Sequence, residues 1–387
     1  MKNARIEQEL LDLLSETPAQ ARSRVRAHFR IDAADALVLY GAGTFGRAVL
    51  RRLREAGIEP VAFADDTTEK QGRTVDGLPV FTPKGAVKEF GDRIVFAVTI
   101  LNPALRFLDA KARLTTSTDA RVVSFLDLAS QWPEHLLPFY QYQHPGAMLT
   151  HAEEIRRAFH LWEDEESRRQ FVAHLRFRLT FDYEALPENT GDNYFPADVL
   201  PPLPPEITFV DCGAYDGDTI RYFLRQQQNQ FGKIFAFEPD GQNYRKLSDY
   251  VATLGSSKVQ TYQAAVASGP GKLKFDPTGN SGAALSNNGT VEVDVVALQD
   301  VLSDEKGAAL YVKFDVEGAE REALDGMERL IREASPTLAV SVYHRPADLW
   351  SLPLYLRSLN PAYKLFLRTQ GEDGMDVICY AVPDSVS

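Results

Sequence analysis

Short apolar runs alternate with segments of helical periodicity along most of the chain, and the first such region lies near the N-terminus. Residues 3–15 carry one apolar face at helical spacing, formed by Ile6, Leu10, Leu13 and Leu14. Further along, short apolar runs have the composition of buried strands at 36–40, 60–64, 79–81, 93–98 and 121–124. Strands that alternate with helices imply right-handed crossovers and a parallel sheet. We therefore expect a small α/β domain over residues 36–128.

The same alternation restarts at Ile207 and continues almost to the C-terminus. Predicted strands occupy 207–211, 233–238, 258–264, 309–315, 337–343, 363–368 and 376–382. Predicted helices fill the intervals 219–228, 241–253, 320–333 and 348–358. Between the third and fourth strands, Lys272–Phe275 and Val291–Val296 resemble an added hairpin. This pattern predicts a second α/β domain that carries one insertion.

A charged segment separates the two α/β regions. Residues 151–182 mix Glu and Arg with a few large apolar residues, as expected of a helical connector with a solvated face. The run Leu200–Pro205 contains four prolines, so it cannot continue a helix and marks a stiff boundary. We predict an N-terminal helix plus Rossmann-like domain at 1–128, a connector with a candidate lid at 129–200, and the second domain at 201–387. The fold class is thus α/β, with two tandem Rossmann-like units.

Composition and charge narrow the classes of function. The chain has 387 residues, a net charge of −12, a hydrophobic fraction of 44% and a charged fraction of 25%, which is ordinary for a globular protein. No apolar run approaches the ~20 residues that span a bilayer and no signal-peptide core is present, so we expect a soluble, cytoplasmic protein. Two cysteines exclude a disulfide framework and a zinc cluster. The negative charge disfavours nucleic acid as a partner and favours a small neutral or cationic ligand. A homo-oligomer remains open.

The most informative motif is the glycine loop from Asp211 to Gly217. An apolar strand ends at Asp211, and glycines at 213 and 217 let the backbone turn sharply into a helix and let a ligand approach closely. The next strand ends at Glu238, which is followed by Pro239. A carboxylate at that position accepts hydrogen bonds from the ribose hydroxyls of an adenosine-type ligand. An ordinary strand-to-helix turn is the alternative interpretation.

The acids of this loop favour one class of adenosine-type ligand over another. Asp211 and Asp216 would repel a pyrophosphate, whereas S-adenosylmethionine (SAM) has no phosphate and carries a sulfonium cation. We therefore predict SAM as the cofactor. The predicted cofactor-binding residues are Asp211, Gly213, Ala214, Asp216, Gly217, Thr219, Glu238, Pro239 and Ala265.

Residues 194–383 resemble the FkbM family of SAM-dependent methyltransferases. The resemblance rests on the glycine loop, on Phe237–Pro239, on the block Val312–Glu320 and on the step Tyr343-His344. It implies a class I methyltransferase fold with a seven-stranded mixed sheet. It also implies methyl transfer to oxygen on sugars, glycans, polyketides or other small hydroxylated compounds.

Methyl transfer to a hydroxyl needs aligned reactants and a proton acceptor. Ligands of open α/β sheets bind at the carboxyl ends of strands, where Asp315 and His344 are predicted to lie. His344 is our first candidate for the base, because the ordinary pKa of histidine suits proton acceptance near neutrality. Glu320 is assigned to a helix start rather than to catalysis. Substrate-side candidates are Tyr194, Asn280, Ser281 and Glu317.

No metal site is predicted, although carboxylates near Asp315 leave Mg²⁺ open.

A second glycine loop follows the first strand of the chain. Gly41, Gly43 and Gly46, with Asp65 at the end of the next strand, match the dinucleotide fingerprint. Residues 36–128 also resemble the Rossmann-like N-terminal domains of nucleotide-sugar-modifying enzymes, which implies a nucleotide-linked ligand or a scaffold without one. Two alternatives to the methyltransferase therefore stay open: a NAD-dependent oxidoreductase and a noncatalytic nucleotide-sugar-binding module.

Overall fold

The computed structural model describes residues 2–28, 30–32, 34–101, 105–189, 191, 194–276, 284–285, 291–305 and 307–384. The chain divides into two compact units, each built from separate stretches of sequence. Unit 1 contains Met1–Glu153, Val172–Glu188 and Gly371–Met375, and unit 2 contains Glu154–Phe171, Asn189–Gln370 and Asp376–Ser387. The predicted domain limits at 128 and 200 stay predictions.

Unit 1 is built on a six-stranded sheet. Its strands are β1 (Ala36–Tyr40), β2 (Ala62–Ala64), β3 (Thr74–Val75), β4 (Leu78–Phe81), β5 (Ile94–Val98) and β6 (Arg121–Val123). Their order is β3-β4-β2-β1-β5-β6, and each neighbouring pair is parallel except β3 and β4. The central strands β1 and β5 are almost wholly buried because a parallel sheet is covered on both faces. The predicted parallel sheet is confirmed.

Short helices surround the sheet of unit 1. They are α1 (Lys2–Leu14), α2 (Pro18–His28), α3 (Thr44–Glu55), α4 (Pro83–Phe90), α5 (Phe107–Thr118), α6 (Phe125–Gln131), α7 (Pro133–Leu136) and α8 (Pro145–Met148). The sequence pattern did not predict α2, which presents few apolar residues and buries chiefly Ala21 and Val25. Two more helices, α9 (Ala152–Phe159) and α10 (Glu165–Thr180), are divided between the units. Single 3₁₀ turns occupy Gly91–Arg93, Leu149–His151 and Tyr183–Ala185.

Unit 2 carries two sheets. Its strands are β7 (Thr208–Cys212), β8 (Ile234–Phe237), β9 (Val259–Tyr262), β10 (Ala264–Val266), β11 (Gly271–Asp276), β12 (Ala284–Leu285), β13 (Val291–Val296), β14 (Leu310–Phe314), β15 (Thr337–Ser341), β16 (Lys364–Thr369) and β17 (Val377–Val382). The larger sheet has the order β16-β17-β15-β14-β7-β8-β9, with β17 antiparallel to both of its neighbours. This confirms the predicted seven-stranded mixed sheet.

The insertion belongs to the smaller sheet of unit 2, which has the order β10-β13-β11-β12. Strands β11 and β13 pair in antiparallel register, as the predicted hairpin requires. The prediction of one strand over 258–264 is wrong, because the chain leaves the large sheet after β9 and enters the small sheet as β10.

The helices of unit 2 are α11 (Asp218–Gln226), α12 (Gly241–Leu254), α13 (Leu298–Val301), α14 (Glu320–Asp325), α15 (Glu328–Ala334) and α16 (Asp348–Leu359). The single helix predicted over 320–333 is wrong, since it is interrupted between α14 and α15. The interruption contains Gly326, where a Cβ atom would lie only 2.0 Å from the carbonyl oxygen of Ala267.

The order of the large sheet fixes where a ligand can enter unit 2. From β7 the chain continues outward through β8 and β9, then crosses back to β14 on the other side of β7. The loops that follow β7 and β14 therefore diverge, and in open α/β sheets ligands bind at such a switch point. None of the described helices is long and apolar enough to cross a bilayer.

Candidate functional site

The glycine loop after β7 is held tightly between the ends of β8 and β14. The backbone N–H groups of Gly213 and Ala214 both donate to the carbonyl of Phe237, at 3.0 and 2.9 Å. Gly213 has a φ of 83°, and a Cβ atom there would lie 1.9 Å from the carbonyl oxygen of Asp315. Gly217, with a φ of 88°, turns the chain into α11. Only glycine at 213 permits this close approach of the two loops.

Glu238, at the end of β8, is a buried carboxylate that holds the glycine loop. Its Oε2 accepts from the N–H of Tyr215 and its Oε1 from the N–H of Asp240, both at 2.9 Å. Burial raises the pKa of Glu238 to about 7. Pro239 follows it, half-buried. The sequence-predicted partner of a ribose therefore lies directly beside the loop.

The two loop acids do not stand as isolated negative charges, contrary to the sequence argument. Asp211 is fully buried, and its Oδ1 accepts from the ammonium group of Lys313 at 2.9 Å. Asp216 pairs with the guanidinium of Arg221. The second oxygen of Asp211, Oδ2, is buried without a hydrogen-bond partner in the described part of the chain, and burial raises the pKa of this carboxyl to about 6. One buried acceptor therefore remains beside the loop.

The other two predicted cofactor residues occupy different elements. Thr219 lies in the first turn of α11, buried, next to the loop. Ala265 lies in β10 and pairs with Val295 in the smaller sheet. The structure therefore groups the loop residues with Glu238 and places Ala265 in another sheet.

Asp315, immediately after β14, is surrounded by hydrogen-bond donors. Its Oδ2 accepts from the hydroxyl of Tyr194 at 2.9 Å, and its Oδ1 accepts from Ser341 at 2.9 Å and from Tyr343 at 3.4 Å. Burial disfavours the carboxylate, but the cations Lys313 and His344 and these hydrogen bonds outweigh burial and lower the pKa of Asp315. Asp315 is therefore an ionised hydrogen-bond acceptor. Tyr194, predicted as a substrate-side residue, reaches it directly.

His344, after β15, lies among three carboxylates. Its Nδ1 is 2.8 Å from Glu320 Oε1, and its Nε2 is 3.5 Å from Asp315 Oδ1 and 3.7 Å from Glu317 Oε2. Burial disfavours the imidazolium, but the acids, with Glu320 foremost, raise the pKa of His344 to about 10. Burial also raises the pKa of Glu317 to about 8. The two predicted catalytic residues, His344 and Asp315, are thus neighbours.

The acidic group that the sequence left open for Mg²⁺ contains a direct hydrogen bond between Glu320 and His344. Asp315, Glu320 and His344 offer side-chain atoms within 4.8 Å of one another. Glu320 Oε1 already accepts from His344 and from two backbone N–H groups. Glu320 and His344 are therefore joined directly, and Asp315 lies beside them, 3.5 Å from Nε2 of His344.

Sequence reasoning missed two members of this site. Lys313 donates to both Asp211 and the carbonyl of Gly213, at 2.9 and 2.8 Å, and lies 3.9 Å from Asp315. A lysine inside an apolar strand was the available signal, because a buried charge needs a partner. Glu320 does begin α14, as predicted, but it also contacts His344. The substrate-side candidates Asn280 and Ser281 lie outside the described residues.

In unit 1, as in unit 2, a glycine loop joins a strand to a helix and lies beside an acid at the end of the next strand. A Cβ atom at Gly46 would lie 1.9 Å from the carbonyl of Gly41, and Gly43 precedes α3. Asp65 accepts from the N–H groups of Ala42 and Thr67 and from Lys70, all at 2.8 Å. Its oxygens are therefore already engaged by the protein.

Known proteins resemble the chain most specifically over most of unit 2. Residues 211–369 match the family model described as methyltransferase FkbM domain. The crystal structure of methyltransferase FkbM from Methylobacillus flagellatus KT aligns with a TM-score of 0.74 at 23% identity, over 98% of this chain and 99% of that chain. An rRNA methylase from Streptococcus thermophilus covers 50% of this chain and 93% of its own, at 15% identity and a TM-score of 0.31, which does not establish a shared fold. No curated protein matches the sequence significantly.

Proposed function

Because residues 211–369 belong to the methyltransferase FkbM family, we propose that unit 2 uses SAM to methylate a hydroxyl group on a sugar, glycan or other small hydroxylated metabolite. One observation carries this proposal. The glycine loop and the Asp315–His344 cluster meet at the switch point of the sheet, and Lys313 lies in hydrogen-bond contact with the loop and 3.9 Å from Asp315. A cofactor loop and a proton-handling cluster are thus adjacent.

The residues around the loop fit SAM. Glu238 supplies a buried carboxylate for two ribose hydroxyls, and Asp211 Oδ2 is a buried acceptor that still lacks a donor among the described residues. Gly213 lets the loop after β7 pack directly against the carbonyl of Asp315, which brings the glycine loop beside the cluster. SAM supplies a methyl group bonded to a sulfonium, which needs alignment with the acceptor rather than further activation.

Asp315 and His344 have different roles toward the acceptor hydroxyl. Asp315, held ionised, accepts a hydrogen bond from the acceptor hydroxyl and orients it. His344 takes up the hydroxyl proton at Nε2. Because its pKa is about 10 without cofactor, the ring is protonated at neutral pH and cannot yet accept a proton. A cationic cofactor held near the cluster would lower that pKa and so would favour the neutral ring that can accept a proton at Nε2.

Calorimetry followed by an activity assay tests the proposal. The protein is titrated with SAM, S-adenosylhomocysteine, NAD and UDP-sugars, and is then incubated with SAM and a panel of hydroxylated acceptors while release of S-adenosylhomocysteine is measured. We expect SAM to bind and the acceptor panel to include a substrate. Binding of NAD without SAM would favour the oxidoreductase. SAM binding without any transfer would favour the binding module.

The NAD-dependent alternative rests on unit 1, and the geometry of Asp65 weighs against it. A ribose at that loop must compete at Asp65 Oδ2 with both Ala42 and Lys70, whereas each oxygen of Glu238 accepts one backbone N–H and keeps a second lone pair. The nucleotide-linked ligand proposed for Gly41, Gly43 and Gly46 is tested by the UDP-sugar titration.

A further inference from the structure

One oxygen of Glu320 organises the acceptor side of unit 2. Oε1 accepts from the N–H of Val316 at 3.0 Å, from the N–H of Gly318 at 3.3 Å and from His344 Nδ1 at 2.8 Å. Both Glu320 and His344 have side chains that are only 1% exposed. A carboxylate can only accept in these contacts, so the hydrogen on Nδ1 points to Glu320.

The backbone contacts stabilise an unusual loop. Glu317 and Gly318 have φ values of 52° and 94°, which lie in the left-handed region that favours glycine. Glu320 accepts from the residues on either side of Glu317 and so holds this conformation in place. The loop in turn carries Asp315 at its start.

The contact between Glu320 and the imidazole of His344 determines which ring nitrogen is left for the acceptor. With Nδ1 directed to Glu320, Nε2 lies 3.5 Å from Asp315 and 3.7 Å from Glu317. A buried carboxylate on one ring nitrogen fixes the tautomer and stabilises the imidazolium that forms at the other, as in the catalytic triads of hydrolases.

We propose that Glu320 is a positioning residue: it directs Nε2 of His344 at the acceptor hydroxyl and stabilises the ring once it has taken the proton. This rests on the function proposed above. The acceptor O–H bond breaks and its proton goes to Nε2, while the oxygen forms the bond to the methyl group. The methyl group would come from SAM, whose sulfur would be left as a neutral thioether. Nδ1 keeps its hydrogen bond to Glu320 throughout.

The competing explanation is that Glu320 only shapes the loop after β14. The negative charge of its side chain distinguishes this explanation from a role in positioning His344. Glu320→Gln keeps an oxygen for Val316 and Gly318 but removes the negative charge beside the ring. Among the described residues, the acids that interact electrostatically with His344 are Asp315 and Glu317 from the loop after β14, Glu320 from α14, Asp348 from α16 and Asp376 before β17. Four of these five acids remain in the variant, so the test isolates Glu320.

The experiment combines NMR of the full chain with kinetics. The imidazole of His344 is identified as the resonance that is lost in His344→Ala, and its pKa is measured in wild type and in Glu320→Gln without any acceptor. We expect a lower pKa in Glu320→Gln, unchanged SAM binding and a kcat reduced by roughly 10²-fold, the low end of general acid–base contributions. Glu328→Gln, which removes an exposed partner of Arg332, is the matched control and should change none of these quantities.

A double mutant decides whether Glu320 acts through His344. If it does, adding Glu320→Gln to His344→Ala slows methyl transfer no further. An equal loss in both backgrounds, or a His344 pKa that is the same in Glu320→Gln and wild type, would overturn the proposal. Glu320→Asp, which keeps the charge on a shorter side chain, covers the case in which the glutamine variant fails to fold, and should recover the high pKa of His344. Since the NMR measurement needs no acceptor, failure of the proposed methyl transfer is seen separately.

Discussion

Replacing Lys313 with methionine removes a cation from the buried centre of unit 2 while keeping a side chain of similar length. The side chains of Lys313 and Asp211 are 2% and 0% exposed and their charged atoms are 2.9 Å apart. Breaking a buried pair by removing one partner costs about 3–5 kcal/mol, because the other charge is left uncompensated. The carbonyl of Gly213 also loses its donor. We therefore expect the free energy of unfolding to fall by about 3–5 kcal/mol at pH 8.

The loss should depend on pH in a direction that follows from Asp211. Its pKa is already raised to about 6 in the folded protein, and removal of Lys313 raises it further. A group whose folded pKa is raised above the unfolded value of ~3.9 destabilises the protein only as pH rises above that unfolded value. The variant should therefore lose less stability at pH 5, where Asp211 is protonated, than at pH 8.

Urea denaturation, followed by tryptophan fluorescence in a Trp132→Phe background so that only the buried Trp162 and Trp350 of unit 2 report, measures this loss. Asp211→Asn in the Lys313→Met background removes the stranded charge and should recover most of the stability. Arg332→Met, which breaks the exposed pair with Glu328, is the control and should cost only ~0–1 kcal/mol. A loss for Lys313→Met as small as the control, or one that Asp211→Asn does not repair, would refute the reasoning.

Three further predictions concern the reaction. His344→Ala should leave SAM affinity intact, measured by calorimetry, and slow turnover by about 10²–10⁴-fold, the range for a lost general base; unchanged turnover would remove His344 from that role. Because His344 must lose its proton to act and its pKa is about 10 in the free protein, kcat/KM for SAM should rise with pH up to that value, whereas kcat for the saturated protein should level off at lower pH. Coincident pH profiles would contradict the effect assigned to the cofactor's charge. Methyl transfer should persist in EDTA, because Oε1 of Glu320 already accepts three hydrogen bonds and only Oε2 lacks a partner among the described residues; loss of activity that Mg²⁺ restores would show instead that the cluster holds a metal.

The parallel strands were predictable because their apolar runs are buried on both faces. The seven strands of the large sheet and the hairpin of β11 and β13 follow from that pattern. The change of sheet between β9 and β10 was not predictable, because only Gln263 separates the two strands along the chain and their difference lies in their partners. The break at Gly326 depends on the nearby carbonyl of Ala267, a contact made by a distant part of the chain.

In the site, too, features set by local sequence could be predicted, whereas contacts between distant segments could not. The positions of Asp315 and His344 at strand ends follow from local pattern, as does the turn at Gly213. The pairing of Asp211 with Lys313 joins two different strands, so the sequence argument treated that acid as an unpaired charge. The contact of Glu320 with His344 likewise joins separate loops. The catalytic and binding roles of these residues stay predictions.

Titration of SAM into the wild-type protein and into Glu238→Ala tests the central claim most directly. The glycine loop and the carboxylate at the end of β8 are proposed to hold the cofactor's ribose, so wild type should bind SAM. Loss of the charge-assisted hydrogen bonds in Glu238→Ala should weaken binding by about 1.5–3 kcal/mol. Absence of SAM binding by the wild type, or equal affinity in the two proteins, would contradict the account.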